Sequence, residues 1–490
     1  MFCRSFPSPP LKLRVLQLAH SRSEHVRFSP AVIRPSISIE KEYPAHADMT
    51  KSPKSSLEAQ IVSALDSREK RGIRRRLPEP STLSSTSGLV DFNSNDYLSL
   101  ASSPALRKIF LSKLNTAPDV LGSGGSRLLV NGEAHSVLEA RLSRFFASPA
   151  AMLFNSGFDA NVGFFSCVPQ VGDVVVYDEY IHASVHDGIR SSRTRDAHYA
   201  FSHNSVPAFR ELVLRLLDER LELQAGETSL FVAVESLYSM DGTFAPLADI
   251  IRTLEECFPH GNGYLVVDEA HATGIYGPQG RGRVAQLGLE NKVLARLHTF
   301  GKALAATGAV ILTSTLIRDY LLNYARSLIY TTSLSFANII AADSSFDLLM
   351  DGTAQQLSKK VLDLSQYFVE GLRPRLHDIP IHLLSLPTHL HLQQSSTLAS
   401  PIIPIMTTRP RPLSTYLLHL GMNARPITWP TVPKGKDRVR VCLHAGNTTS
   451  DVDMLIEGMV RWSEEQVAQI KEVKASRGAP ALGVAVQSKL

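Results

Sequence analysis

Between residues 150 and 345, short apolar runs recur at 151–154, 174–177, 231–234, 265–267 and 309–313. The gaps between them carry helical periodicity, as at 208–223 and 315–326. Apolar runs without alternation are strands buried on both faces, and strands separated by helices pair in parallel. This spacing predicts an α/β domain with a mostly parallel central sheet and helices on both faces. In such sheets ligands bind at the carboxyl ends of the strands. Polar residues just beyond the apolar runs are therefore the candidates for chemistry.

The run Leu265 to Val267 ends in Asp268, Glu269 and His271, followed by a glycine-rich loop reaching Gly282. Lys302 follows Asp268 by 34 residues, set among Thr299, Gly301, Ala303, Ala305, Ala306 and Gly308. Lysine ordinarily goes to solvent. Small neighbours predict partial desolvation here, and with it a lowered amine pKa suited to imine chemistry. An acid at a strand end and such a lysine suit a pyridoxal 5'-phosphate (PLP) site. The lysine would hold the aldehyde as a Schiff base, and the acid would hold the pyridinium proton.

Other strand ends add to this. Phe154-Asn155-Ser156-Gly157-Phe158 reads as strand, turn and helix start, a place where Gly157 and Phe158 could hold a phosphate. His182 follows the run at 174–177 and could stack on a pyridine ring, with His186 a bystander. Glu235 reads as a core acid paired with an arginine, or as a substrate contact, and Ser239 as a donor to the ring oxygen or a carboxylate. Thr331 and Thr332 form a hydroxyl cluster that could reach a phosphate, or a neighbouring subunit's site. Arg438 and Arg440 share one face of a short strand, and a bidentate arginine suits an amino-acid carboxylate.

Three rival readings fail. Gly122-Ser123-Gly124-Gly125-Ser126-Arg127 lacks the third glycine of a dinucleotide fingerprint. Asp268-Glu269-Ala270-His271 spells a helicase motif without its phosphate loop. His182 and His186 lack a third ligand for zinc.

The remaining segments are read as follows. Residues 1–54 form an extension, rich in Ser, Pro and Arg over 1–50; it reads as disordered or as an organelle transit peptide. Residues 1–39 hold six Lys/Arg and one acid, which equals the net charge of +5 and leaves the body nearly neutral, and no nucleic-acid patch is expected. Four scattered cysteines form no disulfide framework, which points to a reducing compartment. No apolar run reaches membrane-spanning length. The terminal Ser488-Lys489-Leu490 is a peroxisomal address read by an import receptor; mitochondrial or cytoplasmic placement is the alternative. Residues 55–110 are an N-terminal helical arm with a segment of the small domain, with a helix expected over 55–76 that carries Leu57, Ile61 and Leu65 on one face. Residues 111–345 are the large α/β domain, in which Val137, Leu138, Leu142 and Phe145 are helical core positions. Residues 346–470 are a smaller α+β domain, and 471–490 a flexible tail. On residue physics alone, Arg74-Arg75-Arg76 is a solvated helix end rather than an anion site.

Taken in order, these motifs resemble the α-oxoamine synthases, fold-type-I PLP enzymes that join an amino acid to an acyl-CoA. The resemblance spans roughly residues 57–465. It rests on Asn93-Ser94-Asn95-Asp96-Tyr97-Leu98, Gly122 to Ser126, Asn155 to Phe158, His182-Ala183-Ser184, Ser239 to Gly242, Asp268 to Gly274, Thr299 to Lys302, and Pro430 to Pro433 before Arg438 and Arg440. It implies that Lys302 carries the cofactor and removes the α-proton, that Asp268 holds the pyridinium, and that His182 stacks on the ring. It places His271 and Ser239 near the ring oxygen, and Gly157, Phe158 and Thr299 at the phosphate, with Thr331 or Thr332 arriving from the second subunit of a homodimer. Arg440 and Asn95 would hold the substrate carboxylate. Ile73 to Pro78 resembles the branch that joins L-alanine to pimeloyl-CoA or its carrier-protein thioester, which would put Arg74 near the acyl chain. The stretch Ser126 to Gly132 is closer to the glycine- and serine-using branches.

Overall fold

The computed structural model describes residues 55–77, 88–391 and 398–478 of the 490-residue chain. The extension before residue 55 and the terminal Ser488-Lys489-Leu490 lie outside the described residues. The chain divides into two units, up to Arg74 and from Arg75 onward.

The first unit contains the helix Ser56–Lys70, opened by Ser55, whose hydroxyl accepts from the Glu58 N–H at 3.2 Å. It stops at Lys70, and Gly72 then takes φ +64°, a left-handed turn that other side chains resist. The helix thus ends before the arginine run, which corrects the expectation of a helix through residue 76. Arg74 lies 3.7 Å from Glu69 within this unit. Leu57 and Ile61, on the anticipated apolar face, are exposed.

In the second unit the strands, in chain order, are β1 (Val90–Asp91), β2 (Ala150–Phe154), β3 (Val174–Asp178), β4 (His198–Phe201), β5 (Leu230–Glu235), β6 (Gly263–Asp268), β7 (Ala295–Thr299), β8 (Ala309–Thr313), β9 (Ile402–Met406), β10 (Met422–Asn423), β11 (Arg425–Ile427) and β12 (Arg438–Cys442). The large sheet has the order β2-β8-β7-β6-β5-β3-β4. Only β8 runs antiparallel to its neighbours, and it opposes both β2 and β7. The other six strands therefore point one way and deliver their carboxyl ends to one edge. The expected runs become β2, β3, β5, β6 and β8. β7 escaped the apolar pattern because Arg296, His298 and Thr299 lie in it and are buried. Each has a local solution: Arg296 Nη2 donates to the Phe146 carbonyl at 2.9 Å, His298 Nδ1 meets Thr273 Oγ1 at 2.9 Å, and Thr299 Oγ1 donates to the Gly308 carbonyl at 3.3 Å.

Side-chain alternation along the strands builds two cores. Val175, Ala233 and Val266 pack with Phe164 and Phe165 of the helix Gly157–Cys167. Val176, Val232 and Val267 pack on the opposite face with Phe209 of Val206–Glu219 and Ile250 of Leu247–Cys257. Each such buried side chain contributes roughly 1.5–3 kcal/mol, so the edge that carries the polar residues is held from both sides. In the helix Glu133–Phe145, Leu138, Leu142 and Phe145 are buried, but Val137 is 57% exposed. Residues 137 and 138 are about 100° apart around a helix, so Val137 is corrected from core to surface.

The C-terminal part holds the antiparallel sheet β11-β12-β9. β1 crosses to it, pairing Val90 with Met422 of β10, and the Cys442 N–H donates to the Phe92 carbonyl at 2.8 Å. The turn after β1 is locked by Asp91, whose Oδ1 accepts from the N–H groups of Asn93 and Ser94 at 2.8 and 3.1 Å. This crossing sets Asn95 and Tyr97 against β12. Among the described residues no helix is long and apolar enough to cross a membrane.

Candidate active site

A pocket of about 400 Å3, counting its open mouth, lies at the carboxyl edge of the large sheet. Its lining gathers Gly157, Phe158, His182, Glu235, Asp268, His271, Thr299 and Lys302 from five separate stretches of sequence.

Asp268 ends β6 and is buried. Its Oδ1 accepts from the Ala270 N–H at 2.9 Å and its Oδ2 from Asn161 Nδ2 at 2.8 Å. The adjacent acid, Glu269, points elsewhere. It accepts from Ser236 Oγ at 2.6 Å and from the N–H groups of Arg283 and Val284 at 3.0 and 2.7 Å. Glu269 thus holds the end of the glycine-rich loop, while Asp268 faces the pocket.

Lys302 sits in the loop between β7 and β8. The loop is closed by Phe300 N–H to Gly308 carbonyl and Ala306 N–H to Phe300 carbonyl, both at 2.9 Å. Gly308 takes φ +113°, and an added Cβ would lie 2.8 Å from Leu334, so glycine is required there. Burial lowers the Lys302 amine pKa; Asp268 and Glu235 oppose the drop and Arg440 adds to it. This is the desolvated lysine anticipated from its small neighbours.

At the other end of the pocket, the helix Gly157–Cys167 begins. Ser156 caps it by accepting from the Asp159 N–H at 3.0 Å. The first-turn N–H groups of Gly157 and Phe158 have no partner within the helix. Thr299 approaches closely: a Cβ built on Gly157 would lie 3.5 Å from Thr299 Oγ1. A helix N-terminus with a threonine beside it, a buried carboxylate held at both oxygens, and a buried amine form a donor set that fits PLP. Gly157, Phe158 and Thr299 would hold its phosphate, Asp268 its ring nitrogen and Lys302 its aldehyde carbon.

Both pocket histidines are driven neutral. For His182, burial lowers the pKa, with Asp268 opposing and Lys302 assisting. For His271, burial, Lys302 and Arg440 push it well down. His271 Nδ1 lies 2.7 Å from Tyr97 Oη. Arg440 Nη2 donates to Asn95 Oδ1 at 2.9 Å and to Tyr97 Oη at 3.3 Å, and its Nε donates to the Ser239 carbonyl at 2.6 Å. Arg440, Asn95 and Tyr97 thus adjoin the pocket through His271. Arg438 pairs instead with Asp241 at 2.5 Å and serves that loop.

Several expected residues fall differently. Glu235 has no arginine partner; its Oε2 accepts from the Ser239 N–H at 3.2 Å, and its Oε1 is buried without a hydrogen bond. Burial and the nearby Asp268 raise its pKa well above the usual carboxylate value. Ser239 acts on Glu235 and Arg440 through its backbone. Asn155 Nδ2 donates to Thr331 Oγ1 at 3.3 Å and to the Thr332 carbonyl at 2.6 Å. Thr331 lines a separate cavity with Arg127 and His135. His186 packs on Tyr177, outside the pocket lining. Two residues were given no role by the sequence reading, Asn161 and Tyr97, the latter noted only as part of the motif Asn93 to Leu98. Asn161 lies one helical turn beyond Gly157, a spacing that puts both on one face, and this was the available signal.

The chain matches the aminotransferase class I and II family over residues 87–459. It is 44% identical over 430 residues to an 8-amino-7-oxononanoate synthase of Emericella nidulans, covering 86% of this chain and 99% of that protein. It is 39% identical over 389 residues to the aminoacyl transferase sphA of Aspergillus fumigatus, covering 78% and 82%. Its fold matches a serine palmitoyltransferase from S. paucimobilis with bound PLP, at a TM-score of 0.68 and 22% identity, over 85% of this chain and 100% of that one. The pocket, the sheet and these likenesses agree: the chain belongs to the aminotransferase class I and II family and, within it, to the α-oxoamine synthase group of PLP-dependent acyltransferases.

Proposed function

We propose that this protein joins L-alanine to pimeloyl-CoA with loss of carbon dioxide, giving 8-amino-7-oxononanoate and free CoA, a step of biotin biosynthesis. The observation that carries this reading is the 44% identity that spans 99% of the Emericella protein bearing that name.

PLP, when bound, supplies an electron sink for a carbanion next to nitrogen. The residues of the chain do the rest. Asp268, held by Ala270 and Asn161, keeps a proton on the ring nitrogen. Lys302, part of whose amine is neutral because it is buried, takes the α-proton of the amino acid. Arg440 and Asn95 hold the amino-acid carboxylate. His182 and His271, kept neutral, add no positive charge beside Lys302. In this reading the protein is a homodimer, Thr331 and Thr332 complete the partner's phosphate site, Arg74 meets the acyl chain, and Ser488-Lys489-Leu490 directs the protein to peroxisomes.

A second reading is another amino-acid acyltransferase of the same group. It is favoured by the likeness to the sphA protein and by the segment Ser126 to Gly132. The test is CoA-thiol release by purified enzyme, crossing alanine, glycine and serine with pimeloyl-, acetyl- and palmitoyl-CoA. Alanine with pimeloyl-CoA is expected to give the highest kcat/KM. A preference for serine with palmitoyl-CoA would overturn the assignment.

A further inference from the structure

Asn161 is buried in the second turn of the helix Gly157–Cys167, with 4% of its surface exposed. Its Nδ2 makes two hydrogen bonds, to Asp268 Oδ2 at 2.8 Å and to Ser184 Oγ at 3.0 Å. An amide nitrogen has two hydrogens, so both are committed. The opposite orientation of the amide would set its carbonyl against the Asp268 carboxylate, so the acid fixes which way the group points.

The second bond sets a direction along the next link. Ser184 Oγ accepts from Asn161, which frees its own hydrogen. His182 Nδ1 lies 2.8 Å from that oxygen and also accepts from the Ser184 N–H at 3.2 Å. A nitrogen that accepts from a backbone N–H carries no hydrogen, so the proton of the neutral imidazole resides on Nε2. One amide therefore holds the carboxylate of Asp268 and, through the Ser184 hydroxyl, the setting of the His182 ring, whose tautomer the Ser184 N–H fixes. Both ends of this chain line the same pocket.

The geometry assigns Asn161 as a positioning residue that couples Asp268 to His182, so that the ring-nitrogen acceptor and the imidazole of the pocket are set together by one side chain. Removing the amide frees one carboxylate oxygen and leaves Ser184 Oγ without its donor. Ser184 can then turn its hydroxyl away from Nδ1, and the His182 ring, still kept in one tautomer by the Ser184 N–H, loses the second bond that sets its position.

This assignment rests on the PLP reading of the pocket, and the experiment separates the two. Full-length wild type, Asn161→Ala and Ser184→Ala are stripped of cofactor and titrated with PLP, following the dissociation constant and the visible circular dichroism per bound cofactor. Far-ultraviolet circular dichroism and the Tm check folding. Wild type that binds no PLP would defeat the cofactor reading itself. Given wild-type binding, Asn161→Ala is expected to weaken PLP about ten- to a hundredfold, the range for losing a hydrogen bond to a charged group, and to change the visible dichroism. Ser184→Ala leaves the Asp268 bond intact. It is expected to change the visible dichroism while its dissociation constant stays within about threefold of wild type. It also serves as the deciding variant if Asn161→Ala does not fold. Wild-type dichroism in Ser184→Ala, or wild-type affinity in a folded Asn161→Ala, would overturn the assignment.

Discussion

Glu235 and Asp268 are Cα partners on the neighbouring parallel strands β5 and β6, so two carboxyl groups stand side by side at one sheet edge. Two buried acids in one pocket do not both ionise. Asp268 is hydrogen-bonded at both oxygens, whereas Glu235 has Oε1 unpartnered, and burial and the adjacent Asp268 push its pKa well above the usual carboxylate value. Glu235→Gln, which copies the neutral acid, is expected to keep kcat within about fivefold, whereas Asp268→Asn should lower it about a hundredfold or more. Steady-state kinetics on both variants checks this. A Glu235→Gln enzyme as slow as Asp268→Asn would mean that Glu235 works ionised.

Lys302 has no substitute in the pocket. Lys302→Ala is expected to lose the visible absorbance of a lysine-linked cofactor and to lower kcat by about a thousandfold. Spectra of cofactor-replete protein decide the point. An unchanged visible band in the variant would assign the linkage to another amine.

Arg440 makes its three contacts in a fixed fork, to Ser239, Asn95 and Tyr97. Lysine cannot reproduce that geometry. Arg440→Lys is therefore expected to raise KM for the amino acid about tenfold or more while leaving KM for the thioester nearly unchanged. If only the thioester KM rose, Arg440 would serve the acyl side.

The buried histidines set an acid limit on stability. His298 is fully buried with Nε2 unpartnered, and burial and Arg296 hold its pKa well below the usual value. His271 is depressed in the same way. The unfolded chain protonates such groups near pH 6.5 while the folded one does not, so the stability that these two histidines contribute is full above about pH 6.5 and falls as pH drops below it. Each histidine contributes a slope of up to roughly 1.4 kcal/mol per pH unit. Denaturant melts of the cofactor-free protein between pH 7 and 5 should show the fall, and His298→Gln should flatten it. An unchanged slope in a folded His298→Gln protein would exclude this residue as a source.

The peroxisomal proposal has a simple check. A fluorescent protein fused ahead of the chain is expected in peroxisomes, and deletion of Leu490 should release it to the cytosol. Peroxisomal retention after the deletion would remove Ser488-Lys489-Leu490 as the address.

Much of this site was legible because parallel sheets put function at strand ends, and those ends follow apolar runs. Asp268, His182 and Glu235 were located that way, and Lys302 by the small residues around it. What could not be read was the side-chain pairing across elements. Tyr97 and Arg440 are far apart in sequence and meet only because β1 crosses to β10. β7 was missed because its buried polar residues break the apolar pattern. The paired arginine expected for Glu235 is not there: Arg440 turns its Nε and Nη2 to Ser239, Asn95 and Tyr97 instead.

The crossing of β1 also orders events in time. The strands of the large sheet have all emerged from the ribosome once β8 is made, well before β12. Arg440, which meets Asn95 and Tyr97 beside the pocket, is therefore among the last of these residues to be made. The turn carrying Asn95 must wait, unpaired, for the last strand, and such long-range closure is the slow kind.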